Sequence, residues 1–201
     1  LQGAGGSRTL AAQLDNQGTV TLPYDLTLNR ASSVHLNSGT ITTTGTADFT
    51  VVQTGTTPSF TNTGTITLAS ARSLVVNGGT VDLTAGLVAG YSSFFSTTGA
   101  TVVRLTTATV QPRLGFSATT TIPDAFTIPA SDSLRIYGTF APPSLTNNGT
   151  LVLLGSAVLN TPSLTTDAAS AIRVRGDAVN AAANATITNG FTNTGTIALA
   201  A

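Results

Sequence analysis

The chain has no cysteine, methionine, tryptophan, lysine or glutamate among its 201 residues. Without Cys it has neither a disulfide framework nor a Cys-ligated metal site. The absence of Lys and Glu, which are good helix formers, disfavours a helical fold. About a fifth of the residues are Thr, and Val, Ile and Leu alternate with Gly and Asn. This composition predicts strands and turns, and therefore an all-β protein.

Charged residues are scarce, at 8% of the chain, against about 25% in ordinary globular proteins. All eight basic residues are Arg and all eight acidic residues are Asp, so the formal net charge is zero. The Arg residues are scattered singly rather than clustered, which predicts no nucleic-acid partner. No apolar run approaches the roughly 18 residues that cross a bilayer, so we expect no membrane span in this segment.

A short repeat, apolar-x-Asn-x-Gly-Thr-apolar-x-Leu, occurs six times with variation at its ends, most clearly as FTNTGTITL at 60–68. Gly and Asn accept the backbone conformations of sharp turns, so each repeat is predicted to mark a turn. Stacked Asn side chains are expected to hydrogen-bond along the molecule as a turn ladder. The ladder residues are Asn16, Asn37, Asn62, Asn77, Asn147 and Asn193, with Gly18, Gly39, Gly64, Gly79, Gly149 and Gly195.

A longer internal similarity aligns residues 19–37 with residues 119–137 without a gap. In both copies apolar residues two apart form three short groups separated by turn residues, and a spacing of two is strand periodicity. The first copy has its groups at 20/22, 26/28 and 34/36. This pattern predicts one coil of a solenoid, with three strands of three to five residues and the apolar side chains facing inward.

Together these patterns predict a right-handed parallel β-helix of about nine imperfect coils of roughly 20–25 residues. Residues 1–201 are expected to form one solenoid segment, with 84–118 as irregular coils or an insertion. The 46 residues between Gly149 and Gly195 are expected to hold two coils, with Ile172 and Val174 facing inward. The complete repeat at 191–201 would leave unpaired strand edges, so we expect further coils beyond it or self-association.

The FTNTGTITL-type repeat resembles the coils of right-handed β-helix surface proteins of bacteria, namely autotransporter passengers and filamentous-haemagglutinin-like adhesins. The resemblance extends over most of the chain. It implies secretion or a cell-surface location, and a role in adhesion, as a stalk or in a filament. It also implies that a glycan or a host-surface molecule is a partner to consider.

Candidate catalytic groups are few. Asp124, Asp132 and Arg135 are close in sequence, but turn aspartates and a solvated arginine are the favoured interpretation. His35 is the single His, which excludes multi-His metal sites and leaves no Ser-His-Asp arrangement. Because His35 aligns with Arg135 between apolar neighbours, its side chain is predicted to face solvent. We therefore predict no catalytic, metal or cofactor-binding residue and no enzyme activity.

Two surface motifs remain as hypotheses. Arg175-Gly176-Asp177 is an RGD tripeptide, which in an adhesin would indicate integrin binding, although a three-residue motif arises easily by chance. Thr-x-Thr pairs occur at 19/21, 40/42, 65/67 and 186/188, and stacked outward Thr residues are typical of ice-binding solenoids. Thr is also simply a good outward strand residue.

The favoured function is a non-enzymatic structural or adhesive stalk segment of an extracellular bacterial protein. The first alternative is a β-helix that binds or cleaves polysaccharide, which would need an outer groove with aromatic rings and convergent Asp and Arg. The aromatic residues available for it are Tyr24, Tyr91, Tyr137, Phe94 and Phe95. The second alternative is an ice-binding solenoid.

Overall fold

The protein is a parallel β-solenoid of about nine turns, which confirms the predicted fold class. The computed structural model describes residues 6–176 and 183–200. Within these ranges there are 23 strands and no helix, and every strand pairing is parallel. The described residues accordingly contain no helix of the length and apolar character that a membrane crossing requires.

Each turn contributes strands to three sides of the solenoid. The first side consists of β1 (Arg8–Leu10), β4 (Leu26–Asn29), β7 (Phe49–Val52), the beginnings of β10 (Ser73–Asp82) and β12 (Phe94–Arg104), β13 (Arg113–Gly115), β15 (Ser133–Ile136), β18 (Thr150–Leu154), β21 (Ala171–Arg175) and β23 (Thr196–Ala200). The second side consists of β2 (Asp15–Asn16), β5 (Val34–Asn37), β8 (Ser59–Asn62), the ends of β10 and β12, β16 (Thr139–Phe140), β19 (Val158–Thr161) and β22 (Asn184–Ile187). The third side consists of β3 (Thr19–Leu22), β6 (Thr40–Thr43), β9 (Thr65–Thr67), β11 (Leu87–Ala89), β14 (Phe126–Ile128), β17 (Leu145–Asn147) and β20 (Leu164–Thr166).

One column of apolar side chains runs along the first side from β4 to β23; in β1 its position is taken by Arg8, and Leu199 in β23 is exposed. Its members pair coil to coil in the order Leu26, Phe49, Leu74, Phe95, Leu114, Ile136, Leu153, Val174 and Leu199. Six of them, from Phe49 to Leu153, are fully or almost fully buried. Successive strands lie about 4.8 Å apart, so each of these side chains packs between the equivalent side chains of the coil before it and the coil after it.

The inward residues of the third side form a second column. Val20 pairs with Ile41, Ile41 with Ile66, and Ile66 with Val88. Ile41, Ile66 and Val88 are buried, and Val20, in the first coil of the column, packs against the core from a half-buried position. The predicted inward orientation of the apolar residues that follow the Gly-Thr of each repeat is confirmed for Val20, Ile41 and Ile66, which lie on one another.

Coil length varies more than the sequence indicates. The shortest coil on the first side is the 17-residue step from Leu134 to Leu151, and the longest include the 25-residue step from Ile172 to Ile197. Between 84 and 118, β11 stacks on β9 of the third side, and β12 stacks between β10 and β13 of the first side, with a 19-residue step from Phe94 to Arg113. In the last interval β21 lies between β18 and β23, so two coils separate Gly149 from Gly195, with Ile172 buried.

The six Asn-x-Gly-Thr repeats lie at three different corners. Those at Gly18, Gly39 and Gly64 join the second side to the third, whereas the one at Gly79 lies within β10, between the first and second sides. Those at Gly149 and Gly195 lead into first-side strands β18 and β23. The 15-residue spacing from Gly64 to Gly79 is therefore about two-thirds of a coil rather than a short coil.

The predicted orientation of His35 is wrong. Its side chain is 1% exposed, while the neighbouring Val34, which was expected to face inward, is 54% exposed. In β5 the inward residues are His35 and Asn37, because His35 pairs with Phe60 and Asn37 with Asn62. A strand turns every side chain to the opposite face when its register shifts by one residue. The long alignment with 119–137 matches residues of different sides and misplaces β5 by that one residue.

Candidate functional site

Three of the six predicted ladder residues form a continuous row of amides at one corner. The Asn16 Nδ2 donates to the Asn37 Oδ1 at 2.7 Å, and the Asn37 Nδ2 donates to the Asn62 Oδ1 at 2.6 Å. All three side chains are buried, and the outer amides also donate to backbone carbonyls such as that of Gly18. Continuing the register beyond β10, buried Leu83 follows Asn62, so the row ends after three coils.

The other three predicted ladder residues lie elsewhere. Asn77 is exposed within β10, where it pairs with Val52 and Thr98. Asn147 is buried at the end of β17 and donates to the Ala171 carbonyl at 3.1 Å. Asn193 is exposed and donates to the carbonyl of Gly195, two residues on, at 2.7 Å. The structure therefore does not bring the six Asn residues together.

Glycines stack beside the amide row because the backbones of adjacent coils approach closely there. A Cβ added to Gly39 would lie closer than 3.0 Å to the Gly18 carbonyl oxygen, and one added to Gly64 would meet the Gly39 carbonyl oxygen in the same way. Gly86 continues this stack on Gly64, although its coil lacks the Asn of the repeat. Gly149 and Gly195 make equally close approaches at the corner before the first side, to the carbonyls of Asp132 and Ser170 respectively.

The Thr-x-Thr pairs form an outward array of limited extent on the third side. Thr19, Thr40 and Thr65 form one column, and Thr21, Thr42 and Thr67 form the other. The next coil places Leu87 and Ala89 in these positions. The array therefore spans three coils. Thr186 lies apart from it, in β22, and pairs with Asn160 of β19.

The two aspartates considered for catalysis do not converge. Asp124 forms an exposed ion pair with Arg104, with 3.2 Å between the Arg Nε and the Asp Oδ2. Asp132 accepts a hydrogen bond from the Thr107 hydroxyl at 2.8 Å, and Arg135 lies over the ring of Tyr91.

Of the RGD tripeptide, Arg175 is exposed in β21 and the Gly176 amide donates to the Ala200 carbonyl, whereas Asp177 lies outside the described residues.

Arginines gather on the outward surface of the first side. The outward column of this side runs through Phe94, Arg113, Arg135, Val152, Arg173 and Ala198. Tyr137 and Arg175 lie two residues further along the same strands or just past their ends. We call the surface formed by Phe94, Arg113, Arg135, Tyr137, Arg173 and Arg175 the arginine face. It carries half of the chain's eight arginines, and none of the strands β12, β13, β15, β18, β21 and β23 contains an acidic residue.

Aromatic rings hold the two central arginines of this face. The Arg113 guanidinium lies 5.5 Å from the centre of the Phe94 ring, and the Arg135 guanidinium lies 5.1 Å from that of Tyr91. Tyr137 meets Phe94 edge to face at 6.0 Å. Such cation–π contacts orient a guanidinium and leave part of its charge available to a ligand.

Arg113 and Arg135 are neighbours in adjacent coils and have unused hydrogen-bond donors. The Nε atoms of both are buried without a hydrogen-bond partner, and in the described part of the chain no carboxylate lies within ion-pair distance of either. Burial lowers the pKa of Arg135 from its usual range, the Arg113 charge lowers it further, and Tyr91 opposes both effects. These two like charges are therefore poorly compensated by the protein itself.

A cleft of about 240 Å³ lies beside Arg135, which contacts two of its lining residues, Tyr91 and Gln111. Tyr91, whose side chain is 62% exposed, forms one wall, and the Arg135 Nη2 donates to the backbone carbonyl of Gln111 in the lining at 3.0 Å. The complete lining is Tyr91, Thr107, Val110, Gln111, Ser131, Asp132 and Ser133. The site thus combines an exposed ring, hydroxyl and amide groups, one carboxylate and two adjacent cations.

Sequence reasoning grouped Asp132 and Arg135 with Asp124 as possible neighbours on one face, and named Tyr91 among the aromatic residues available to a polysaccharide groove. It missed Arg113 and Gln111, which no repeat marks. Of the other aromatic candidates, Phe95 is buried in the core, and Tyr24 lies apart from the cleft with Arg8 4.9 Å from its ring centre. No group of three or more His, Cys, Asp or Glu side chains able to hold a metal ion occurs at 6–176 or 183–200.

Comparison of the chain with family models, with curated proteins and with solved structures finds no match in any of the three. The interpretation of the site therefore depends on the chemistry of these residues alone.

Proposed function

We propose that the protein is a non-enzymatic structural or adhesive stalk segment of an extracellular bacterial surface protein or filament. The observation that carries the proposal is the apolar column from Leu26 to Leu199, which runs without interruption along the solenoid. A stack in which each coil stabilises its neighbours can be lengthened by adding coils, which suits a spacer. The likeness of the repeats to those of bacterial adhesins supports the location.

The separation of the aspartates supports the absence of catalysis. General acid–base hydrolysis needs two groups that converge on one bond, and Asp124 and Asp132 are engaged by different partners, Arg104 and Thr107.

An antibody against this segment, applied to intact and to permeabilised cells of the producing bacterium, tests the location. We expect equal labelling of both samples, and rod-shaped particles of the parent protein in electron micrographs. Labelling that requires permeabilisation would contradict the proposal. Release of new reducing ends from any polysaccharide incubated with the protein would contradict the non-enzymatic part.

Polysaccharide binding is a second candidate function, favoured by the cleft beside Tyr91. Sugar rings stack on exposed aromatic rings, and their hydroxyl groups pair with amide, hydroxyl and carboxylate groups such as those of Gln111, Ser133 and Asp132. The cleft is smaller than the roughly 300–1,000 Å³ typical of pockets for drug-sized ligands. It would therefore hold one sugar unit of a chain rather than enclose an oligosaccharide.

A further inference from the structure

We infer that the arginine face binds an acidic polysaccharide lengthwise, with a carboxylate of the glycan held by Arg113 and Arg135 while its sugar unit stacks on Tyr91. This inference rests on the second candidate function, polysaccharide binding, and specifies the class of polysaccharide. It is independent of the stalk proposal, since a stalk needs no glycan site.

The central pair of arginines lacks a partner that a carboxylate would supply. Both Nε atoms are buried and out of a ligand's reach, so an anion would be held by the terminal nitrogens of the two guanidinium groups, neither of which forms an ion pair within the described ranges. A carboxylate accepts two parallel hydrogen bonds from a guanidinium, and charge-assisted bonds of this kind are roughly twice as strong as neutral ones. A bound anion would also relieve the repulsion between the two adjacent cations.

Tyr91 favours a sugar over a simple anion as the source of that carboxylate. Arg135 occupies one face of the ring, and the 62% exposure of the side chain leaves the other face open to a ligand. The neighbouring cleft presents the side chains of Ser131, Ser133 and Gln111, which suit a polyhydroxylated ligand. Phosphate or sulfate ions alone would make no use of the exposed aromatic ring.

The length of the arginine face indicates a polymer. Arg173 lies two coils beyond Arg135, at a distance of about 10 Å along the solenoid. Arg173 and Arg175 line a second outward depression of about 350 Å³ together with Thr196, Ala198 and Ala200. An extended glycan parallel to the solenoid axis would meet both pairs of arginines, and a chain with repeated carboxylates would pair with both.

Nucleic acid is the less favoured polyanion. The chain has zero formal net charge, and the face offers four cations in total. Nucleic-acid binding at physiological salt depends on neutralising many phosphates at once, with affinity falling steeply as salt rises. The hydroxyl-rich cleft matches a sugar unit more closely than a stacked base.

Binding of the whole protein to polygalacturonate and to its fully methyl-esterified form tests the inference, because the two polymers share a backbone and differ in charge. We expect the acidic form to bind at least about tenfold more tightly, and Arg135→Gln to remove about tenfold of that affinity. Arg30→Gln makes the same charge change at an exposed position off the arginine face, and should alter binding less than twofold. Thermal unfolding of each variant shows whether the fold is retained.

Tyr91→Ala provides a second variant, since its side chain is exposed and its loss should leave the fold intact. We expect it to weaken binding of the acidic polymer about tenfold, with Tyr24→Ala as the unaffected control. Equal binding of the two polymers with no effect of Arg135→Gln would overturn the inference and leave polysaccharide binding standing. Binding of neither polymer would overturn both. Equal or tighter binding of single-stranded DNA or dextran sulfate would overturn the assignment to a carboxylate glycan.

Discussion

At the scale of the residue, His35 is a polar side chain in an apolar column. It lies between Leu14 and Phe60 along the inward row of the second side, followed by Val81 and Val103. The Leu14 amide donates to its Nδ1 at 3.0 Å, which makes this nitrogen the acceptor and places the proton of the neutral ring on Nε2. The Nε2 is buried without a hydrogen-bond partner in the described part of the chain. The site therefore accommodates the neutral ring and opposes a second proton.

This environment predicts a pH-dependent stability. Burial lowers the pKa of His35 below its usual value, so the folded state binds a proton less readily than the unfolded state. The contribution of His35 to the free energy of unfolding is fully present above its pKa in the unfolded chain, which is about 6.5. It is lost as the pH falls from there towards the lowered pKa of His35 in the folded protein. We expect the free energy of unfolding in urea to be lower at pH 5 than at pH 7.5.

His35→Gln keeps an acceptor for the Leu14 amide and removes the titration. Because His35 is the single His and the chain contains no Glu, few other side chains titrate between pH 5 and 7.5. In the variant, the free energy of unfolding should change much less between pH 5 and pH 7.5. A dependence as steep as that of the wild type would assign the effect to another group.

The stacked glycines predict a steric penalty at single positions. Gly64→Ala places a Cβ against the Gly39 carbonyl oxygen, which belongs to backbone and cannot rotate away. We expect it to lower the free energy of unfolding by about 1–3 kcal/mol or more, as overpacking does. Gly18→Ala is the matched control in the same repeat, because nothing lies within 4 Å of its added Cβ. If Gly64→Ala and Gly18→Ala lower the free energy of unfolding in urea equally, close backbone approach is not the reason for glycine at this corner.

At the scale of the element, the amide row explains why Asn recurs at the corner between the second and third sides. A buried amide must satisfy both its donor and its acceptor, and an identical amide one coil away does so. In the coil after Asn62 the row gives way to Leu83, which requires no such partner. The corner is kept in that coil by Gly86, whose amide donates to the Asn62 carbonyl at 3.0 Å.

Asn37→Ala should be the most damaging single change in the row. It leaves the Asn62 Oδ1 without its 2.6 Å bond, while the Asn16 Nδ2 loses its 2.7 Å bond and keeps the carbonyls of Gly18 and Thr40 at 3.3 and 3.2 Å. A buried group left unsatisfied costs about 1–3 kcal/mol and a lost hydrogen bond about 0.5–1.5 kcal/mol, so we expect the free energy of unfolding in urea to fall by about 2 kcal/mol. Asn77→Ala, at the exposed position of the same repeat, should cost less than about 0.5 kcal/mol. If the two variants unfold alike, the row does not stabilise the corner.

The sequence predicts the inward face of a strand well where apolar and polar residues alternate. It predicts that face poorly where the answer depends on which residues of neighbouring coils are paired. The column of Val20, Ile41 and Ile66 follows directly from the alternation. The orientation of His35 was within reach of the short repeat, since HLN at 35–37 matches FTN at 60–62, and Phe60 is inward. The long alignment misled because it matched residues on different sides of the solenoid.

The candidate site was less accessible to sequence reasoning for a physical reason. Tyr91, Gln111 and Ser133 come together because coil steps of about 20 residues place them at one corner, and those steps vary from 17 to 25. A corner position cannot be assigned without knowing each step. The pairing of Arg113 with Arg135 likewise appears only once Leu114 is placed beside Ile136.

At the scale of the whole molecule, the central claim is that residues far apart in sequence lie in one straight column, one coil apart. Ser73, Phe94, Arg113, Arg135, Val152, Arg173 and Ala198 occupy successive coils on the outer surface of the first side. Their separations in space should therefore depend on the number of coils between them and not on the number of residues.

Pulsed electron paramagnetic resonance on two doubly spin-labelled proteins measures this most directly. Labels at Ser73 and Val152 are four coils apart, and labels at Ser73 and Ala198 are six coils apart. At about 4.8 Å per coil, the account predicts distances of about 19 Å and about 29 Å, widened by the label tethers. A second distance equal to or shorter than the first, as an antiparallel sandwich would give, would contradict the stacked-coil structure and the arginine face built on it.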